Sequence, residues 1–87
     1  MSKNWEDDAW EEYVAWQNED KKTLKKINAL LKDIERNGAA NGIGKPEPLK
    51  NNYAGYWSRR IDEKNRLVYR VDEEGNVIVE SCKGHYE

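Results

Sequence analysis

The sequence predicts an α+β fold: two N-terminal helices packed on one face of a small antiparallel, twisted β-sheet. Apolar residues recur at helical spacing through the first 36 residues and at alternating spacing from residue 56 onward. Between the two lies a glycine- and proline-containing stretch, the usual mark of a change in element type. Helices gathered before strands, each with one apolar face, bury those faces against one another in two layers.

Size constrains the core. Eighty-seven residues make one domain, 1–87, with no room for a second core. Leu, Ile and Val number only 15 and charged residues are 37% of the chain, so aliphatic burial alone is thin. Four Trp and five Tyr supply the missing area, at roughly 150–250 Å² each.

Asp7 or Asp8 is the expected N-cap of the first helix, whose stripe is Trp10, Tyr13, Val14 and Gln17. Residues 1–5 are expected to be a short, weak first strand, because Lys3 and Asn4 interrupt it. Asp20 caps a second helix over 21–36 with Leu24, Ile27, Leu30, Leu31 and Ile34 toward the core, and Asn37-Gly38 ends it. In Lys45-Pro46-Glu47-Pro48-Leu49-Lys50 each proline restricts the residue before it, so Lys45 and Glu47 are both expected to be extended. A carboxylate held between two prolines has little backbone freedom, as a positioned catalytic group requires.

Residues 56–71 read as two strands joined by Asp62-Glu63-Lys64-Asn65. Side chains alternate along a strand, so the parity of the connection decides which residues share a face. An odd connection places Trp57 and Ile61 with Leu67, Tyr69 and Val71, and gathers Arg60, Arg66 and Arg70 on the other side. An even one would mix Trp57 and Ile61 with arginines and leave no good core face, so the odd reading is favoured. One face is then apolar for the helices and the other cationic and open. Residues 72–76 turn the chain into a third strand over 77–82, and Gly84 precedes the terminal His85-Tyr86-Glu87.

The net charge of -2 hides local imbalance. Residues 1–20 hold one base against seven acids, residues 21–36 six bases against two acids, and residues 45–70 seven bases against three acids. Screening beyond about 8 Å at physiological salt means a polyanion feels the local patches. Lys21, Lys22, Lys25 and Lys26 form either a solvated helix face or a secondary contact with a nucleic-acid backbone. One cysteine excludes an internal disulfide, no Cys/His spacing suits zinc, and no apolar run approaches a membrane span of about 20 residues. Cys82 reads as a small strand residue without a histidine to activate it, and the chain as a soluble cytoplasmic protein.

The open face offers Glu47, Lys50, Arg60, Arg66, His85 and Tyr86. Metal-free RNA cleavage needs such a set: a base for the ribose 2′-OH proton, an acid for the departing 5′-oxygen, and fixed cations around the phosphorane. Tyr86 suits stacking on a base or orienting one. No carboxylate pair of the DxD type suggests Mg²⁺, and no cofactor is implied.

The segments NWEDDAWEEYVAWQNEDKKTLKKINALLKDI, GKPEPLK, GYWSRRIDEKNRLVYRV and CKGHY closely resemble, in order and over nearly the whole chain, the YoeB family of RelE-like bacterial toxins. The resemblance implies a RelE-like fold and a type II toxin that enters the A site of the 70S ribosome and cleaves mRNA there. It implies inhibition by a YefM-like antitoxin whose disordered tail wraps the active face, and binding as a homodimer. In that family the Glu of KPEPLK is the general base, the terminal His the general acid, and the Arg of RLVY stabilises the phosphate. Those roles fall on Glu47, His85 and Arg66, with Lys50 and Arg60 in supporting contacts and Tyr86 beside the substrate. A non-catalytic module that blocks the ribosome by occlusion is the alternative, and a degenerate toxin kept as an antitoxin-binding scaffold a third.

Two departures from the family pattern bear on this. Lys3 and Asn4 stand where the family's first strand is apolar, and Glu87 follows the His-Tyr pair that normally ends the chain. A carboxylate near His85 would raise its pKa and keep an acid protonated at neutral pH. Titration of His85 by NMR is expected to give a lower pKa once Glu87 is deleted; an unchanged value refutes the coupling.

Overall fold

Residues 3–84 are described by the computed structural model. Its first strand, β1 (Lys3–Trp5), leads into α1 (Asp7–Glu19). Glu6, not Asp7 or Asp8, occupies the N-cap, and its side chain makes no capping bond; the two aspartates lie in the first turn, where negative charge suits the helix dipole. The helix is also rotated from the expected stripe. Ala9 and Trp16 are buried, while Trp10 and Val14 are 49% and 39% exposed. The rotation lets α1 satisfy backbone groups at the far end of the chain. The Glu12 carboxylate accepts the Cys82 N–H at 2.9 Å, and Trp16 Nε1 donates to the Cys82 carbonyl at 3.0 Å. Buried polar backbone demands partners, and that demand fixes the angle of the helix. Trp10 instead stacks on Tyr13 and meets Trp5 edge-on.

Helix α2 (Lys21–Asn37) matches expectation at both ends. The Asp20 carboxylate accepts the N–H groups of Lys22 and Thr23 and the Thr23 hydroxyl. Gly38, at φ +88°, ends the helix and donates its N–H to Ile34. Ile27, Leu30, Leu31 and Ile34 are buried against the sheet.

The remaining strands are β2 (Glu47–Pro48), β3 (Trp57–Arg60), β4 (Arg66–Val71) and β5 (Val77–Ser81). Their order is β1-β5-β4-β3-β2, with β2 to β5 antiparallel. Strand β1 extends this sheet by one parallel pairing, Lys3 opposite Val77 and Trp5 opposite Val79. Despite its polar residues β1 therefore forms, and Lys3 makes a 3.2 Å ion pair with Glu35. The sheet is mixed, with both helices on one face.

Residues 61–65 connect β3 to β4, five residues and hence odd, and the register pairs Trp57 with Tyr69, Arg59 with Leu67, and Arg60 with Arg66. The expected division of faces follows. Leu67 and Tyr69 are fully buried, and Ile61 and Trp57 join the same core. A bulge in β5 opposite Val68 and Tyr69 inserts Glu80. This extra residue shifts the alternation, so that Val77, Val79 and Cys82 all face the core.

Lys45 departs from expectation, with φ +52° in place of an extended conformation. Gly44 just before it has φ +82°, and a side chain there would meet Leu30 Cδ2 at 2.8 Å. The Gly44 carbonyl accepts the Arg60 N–H at 2.7 Å. The backbone must therefore reverse within two residues to enter β2, and this reversal outweighs the preference that Pro46 imposes.

Arg59 lies on the core face with no exposed surface. Its Nε donates to the Tyr69 hydroxyl at 2.9 Å, Nη1 to Asp33 and to the Ile43 carbonyl, and Nη2 to the carbonyls of Gly38 and Asn41. The Tyr69 hydroxyl donates to the Ala39 carbonyl at 2.6 Å; burial raises the phenol's pKa, more than the nearby Arg59 lowers it. One guanidinium thus holds α2, the 38–43 loop and β4 together. Replacing Arg59 with Met leaves the tyrosine, the carboxylate and three carbonyls without their donor. The expected loss is about 3 kcal/mol or more, read from the urea midpoint.

Hydrogen bonding from Arg59, then from Ile43 and Asn37, lowers the Asp33 pKa against its desolvation, and turn and cap hydrogen bonds also lower Asp20, Asp62 and Asp72. A depressed folded pKa adds stability that is complete above the unfolded value of about 3.9 and is lost as pH falls through the folded value. Acid unfolding is therefore expected below about pH 4, and Asp33→Asn should flatten that limb in a circular-dichroism titration.

Candidate functional site

The sheet face away from the helices is a grid set by strand register. One row runs Glu47, Ser58, Val68, Ser81 across β2, β3, β4 and β5. The next holds Arg60 and Arg66, with the Gly84 carbonyl accepting the Arg66 N–H at 2.9 Å beyond them. On the other side lie Arg70 and Ile78. Ser58, Val68 and Ser81 are buried, and the Ser81 hydroxyl has no hydrogen-bond partner among the described residues.

Arg60 and Arg66 are closer than mere neighbours. Arg60 N–H bonds to Gly44 and Arg66 N–H to Gly84, so neither amide bonds across the pair. This is the non-hydrogen-bonded type of antiparallel pair, with Cα atoms about 4.5 Å apart and side chains at their closest. Like charges placed so are destabilising. Among the described residues neither has an ion-pair partner, since the three salt bridges are Lys3–Glu35, Arg59–Asp33 and Lys83–Glu19. Arg60 is exposed and Arg66 half-buried. Two uncompensated guanidinium groups on a rigid sheet make a ready site for an anion carrying several oxygens.

Glu47 sits on the exposed edge strand and shares this face through its pairing with Ser58. Two strand spacings across the sheet, about 10 Å, and one row along it, about 7 Å, separate its backbone from that of Arg66. Lys50 is exposed at the N-cap of a 3₁₀ turn, Asn51–Tyr53, that follows the edge strand. The fold thus brings Glu47, Arg60 and Arg66 onto one surface and sets Lys50 at its border. His85 and Tyr86, with Glu87, lie outside the described residues.

Cys82 lies apart from this face, in the core. Burial first, then the Glu12 carboxylate, pushes its thiol up to about 12, and Sγ is 3.7 Å from the Ala9 carbonyl. The thiol stays protonated and serves packing. Lys21, Lys22, Lys25 and Lys26 are all exposed on α2 and take no part in the three salt bridges.

Two residues gain importance only in the structure. Arg59 was readable as a charge on the apolar side of its strand, which signals a buried partner network. Asn65, within a polar turn, gave no such signal; its carboxamide bonds Gly84 across the sheet.

Comparison with known proteins accounts for this combination of fold and face. Residues 5–86 match the family model for the YoeB-like toxin of bacterial type II toxin–antitoxin systems. Toxin YoeB of Escherichia coli K12 is 48% identical over 82 residues, covering 94% of this chain and 95% of that one. The toxin in the Staphylococcus aureus YoeB–YefM heterotetramer superposes with a TM-score of 0.92 at 52% identity, over 99% of this chain and 98% of that one. The S. aureus YoeB dimer gives the same values. The chain belongs to the YoeB-like toxins of bacterial type II toxin–antitoxin systems.

Proposed function

We propose that this toxin is a metal-independent mRNA endoribonuclease acting in the A site of the ribosome and thereby stopping translation. The observation that carries the reading is the Arg60–Arg66 pair, two guanidinium groups facing each other across adjacent strands with no ion-pair partner among the described residues, and with the Glu47 carboxylate on the same face. Such a pair suits the equatorial oxygens of a phosphorane, whose charge exceeds that of the ground-state diester.

In the proposed reaction Glu47 takes the proton from the ribose 2′-OH. The 2′-oxygen attacks phosphorus while the bond to the 5′-oxygen breaks. His85 protonates that leaving oxygen, and the products are a 2′,3′-cyclic phosphate and a 5′-hydroxyl. Arg66 and Arg60 stabilise the phosphorane, Lys50 holds a neighbouring phosphate, and Tyr86 packs beside a base. His85 follows Gly84, which is itself hydrogen-bonded to Arg66, and this adjacency supports the pairing of acid and cation.

The partners proposed with this reading are a YefM-like antitoxin that covers the cationic face and a second copy of the chain. Trp10 and Val14, exposed beside Trp5 and Tyr13, offer a second copy an apolar surface away from the arginines. The cytoplasm, where ribosomes translate, is the proposed location. Among the described residues no helix is long and apolar enough to cross a membrane.

Glu47→Ala and His85→Ala should each slow mRNA cleavage by about 10²–10⁴-fold in primer extension on translating ribosomes, with ribosome binding retained. A 2′-deoxy substitution at the scissile nucleotide should stop the reaction outright. Undiminished cleavage in both variants refutes the acid–base assignment, and translation arrest without any cleavage identifies the occlusion reading instead.

A further inference from the structure

The chain leaves its last strand through Cys82, Lys83 and Gly84, and both backbone groups of Cys82 and of Gly84 are hydrogen-bonded. Cys82 N–H and C=O are bonded by Glu12 and Trp16 of α1. The Lys83 side chain pairs with Glu19 at 3.6 Å and lies over the Trp16 ring. Gly84 donates its N–H to Asn65 Oδ1 at 2.9 Å and accepts from the Arg66 N–H at 2.9 Å. A segment beyond the last strand ordinarily frays, yet each of these four backbone groups has a partner.

Asn65 is itself fixed. Its Nδ2 donates to both oxygens of Asp62 at 3.1 Å, and its own N–H donates to Asp62 Oδ1 at 2.7 Å. Its carbonyl accepts the N–H groups of Ile61 and Asp62. Because Nδ2 is committed to a carboxylate, the carboxamide can point only its oxygen at Gly84. Gly84, at φ +91°, turns the chain there, and nothing lies within 4 Å of where a side chain would sit. The sequence neighbour of Asn65 is Arg66, and that of Gly84 is His85.

We infer that Asn65, oriented by Asp62, is a positioning residue for catalysis: by gripping Gly84 it sets where His85 emerges relative to Arg66. The inference rests on the proposed nuclease reading and adds to it a residue that touches neither substrate nor reacting atoms. The grip couples the turn bearing one phosphate-binding cation to the segment bearing the acid. What is held is Gly84, the residue before the acid, and misplacement of a catalytic group by about 1 Å costs on the order of 10²-fold in rate.

The test compares Asn65→Ala, which deletes the acceptor, with the swapped pair Asp62→Asn/Asn65→Asp, which retains both the acceptor and a donor–acceptor contact with residue 62, in the purified toxin. For Asn65→Ala, amide exchange at Gly84 measured by NMR should speed up by about tenfold. Single-turnover cleavage on ribosomes should fall by about 10–100-fold, with half-saturation and thermal midpoint near those of the wild type. Asp62→Asn/Asn65→Asp should keep most of the Gly84 protection and most of the rate, whereas Asn65→Asp alone, with two carboxylates in contact, should lose both. Unchanged Gly84 exchange in Asn65→Ala overturns the inference, as does a rate loss matched by an equal loss of stability or of binding. If Gly84 exchange responds as expected but the wild type cleaves no mRNA, the nuclease reading fails while the anchoring by Asn65 stands.

Discussion

A buried positive charge must be fully partnered, and the arrangement of this toxin depends on how that demand is met at Arg59. Its five donated hydrogen bonds reach a helix carboxylate, three loop carbonyls and a tyrosine on the next strand. Residues 38–43 fold so that the carbonyls of Gly38, Asn41 and Ile43 all turn toward it. That conformation delivers Gly44, whose carbonyl meets the N–H of Arg60 and starts the edge strand that carries Glu47. Consecutive arginines on one strand therefore do opposite work. Arg59 shapes the scaffold from within, and Arg60 faces outward as part of the site.

Much of this was legible in the residues. Helix α2, its Asp20 cap and its glycine stop follow from propensity and capping chemistry, which act over a few residues. The division of the hairpin into two faces followed from parity, because only an odd connection gives a usable core. Helix α1 was less legible. Trp10 and Val14 look like core by spacing, but the helix turns to serve the backbone of Cys82, some seventy residues later. No local window contains that demand. The left-handed Lys45 fails for a related reason, since a long-range hydrogen bond to Gly44 overrules a local proline preference. The same holds for Asn65, whose partner Gly84 lies across the sheet.

The site itself works against the stability of the sheet. Among the described residues Arg60 faces Arg66 without a counter-ion, which is repulsive, and the buried Ser81 hydroxyl nearby has no partner. Both features sit on the face that carries Glu47 and neither occurs in the core, where the one buried charge is completely satisfied. Uncompensated groups held on a rigid support bind an incoming anion without first breaking internal contacts. An acidic protein segment would relieve the same repulsion as a phosphate, so one electrostatic defect suits two kinds of anionic partner.

The parallel pairing of β1 with β5 has a kinetic meaning. Lys3 to Trp5 hydrogen-bond with residues 77–79, so the two ends of the chain close a single sheet. Contacts of such long sequence separation form late and slow the search for the native state. Helices α1 and α2 can gather early and the Arg60–Arg66 hairpin closes over only five residues, but β1 has no strand to join until residues 77–79 are in place. The β1 edge is therefore the slow part of the sheet to close. The arginine face, carried by strands away from that edge, does not wait for it.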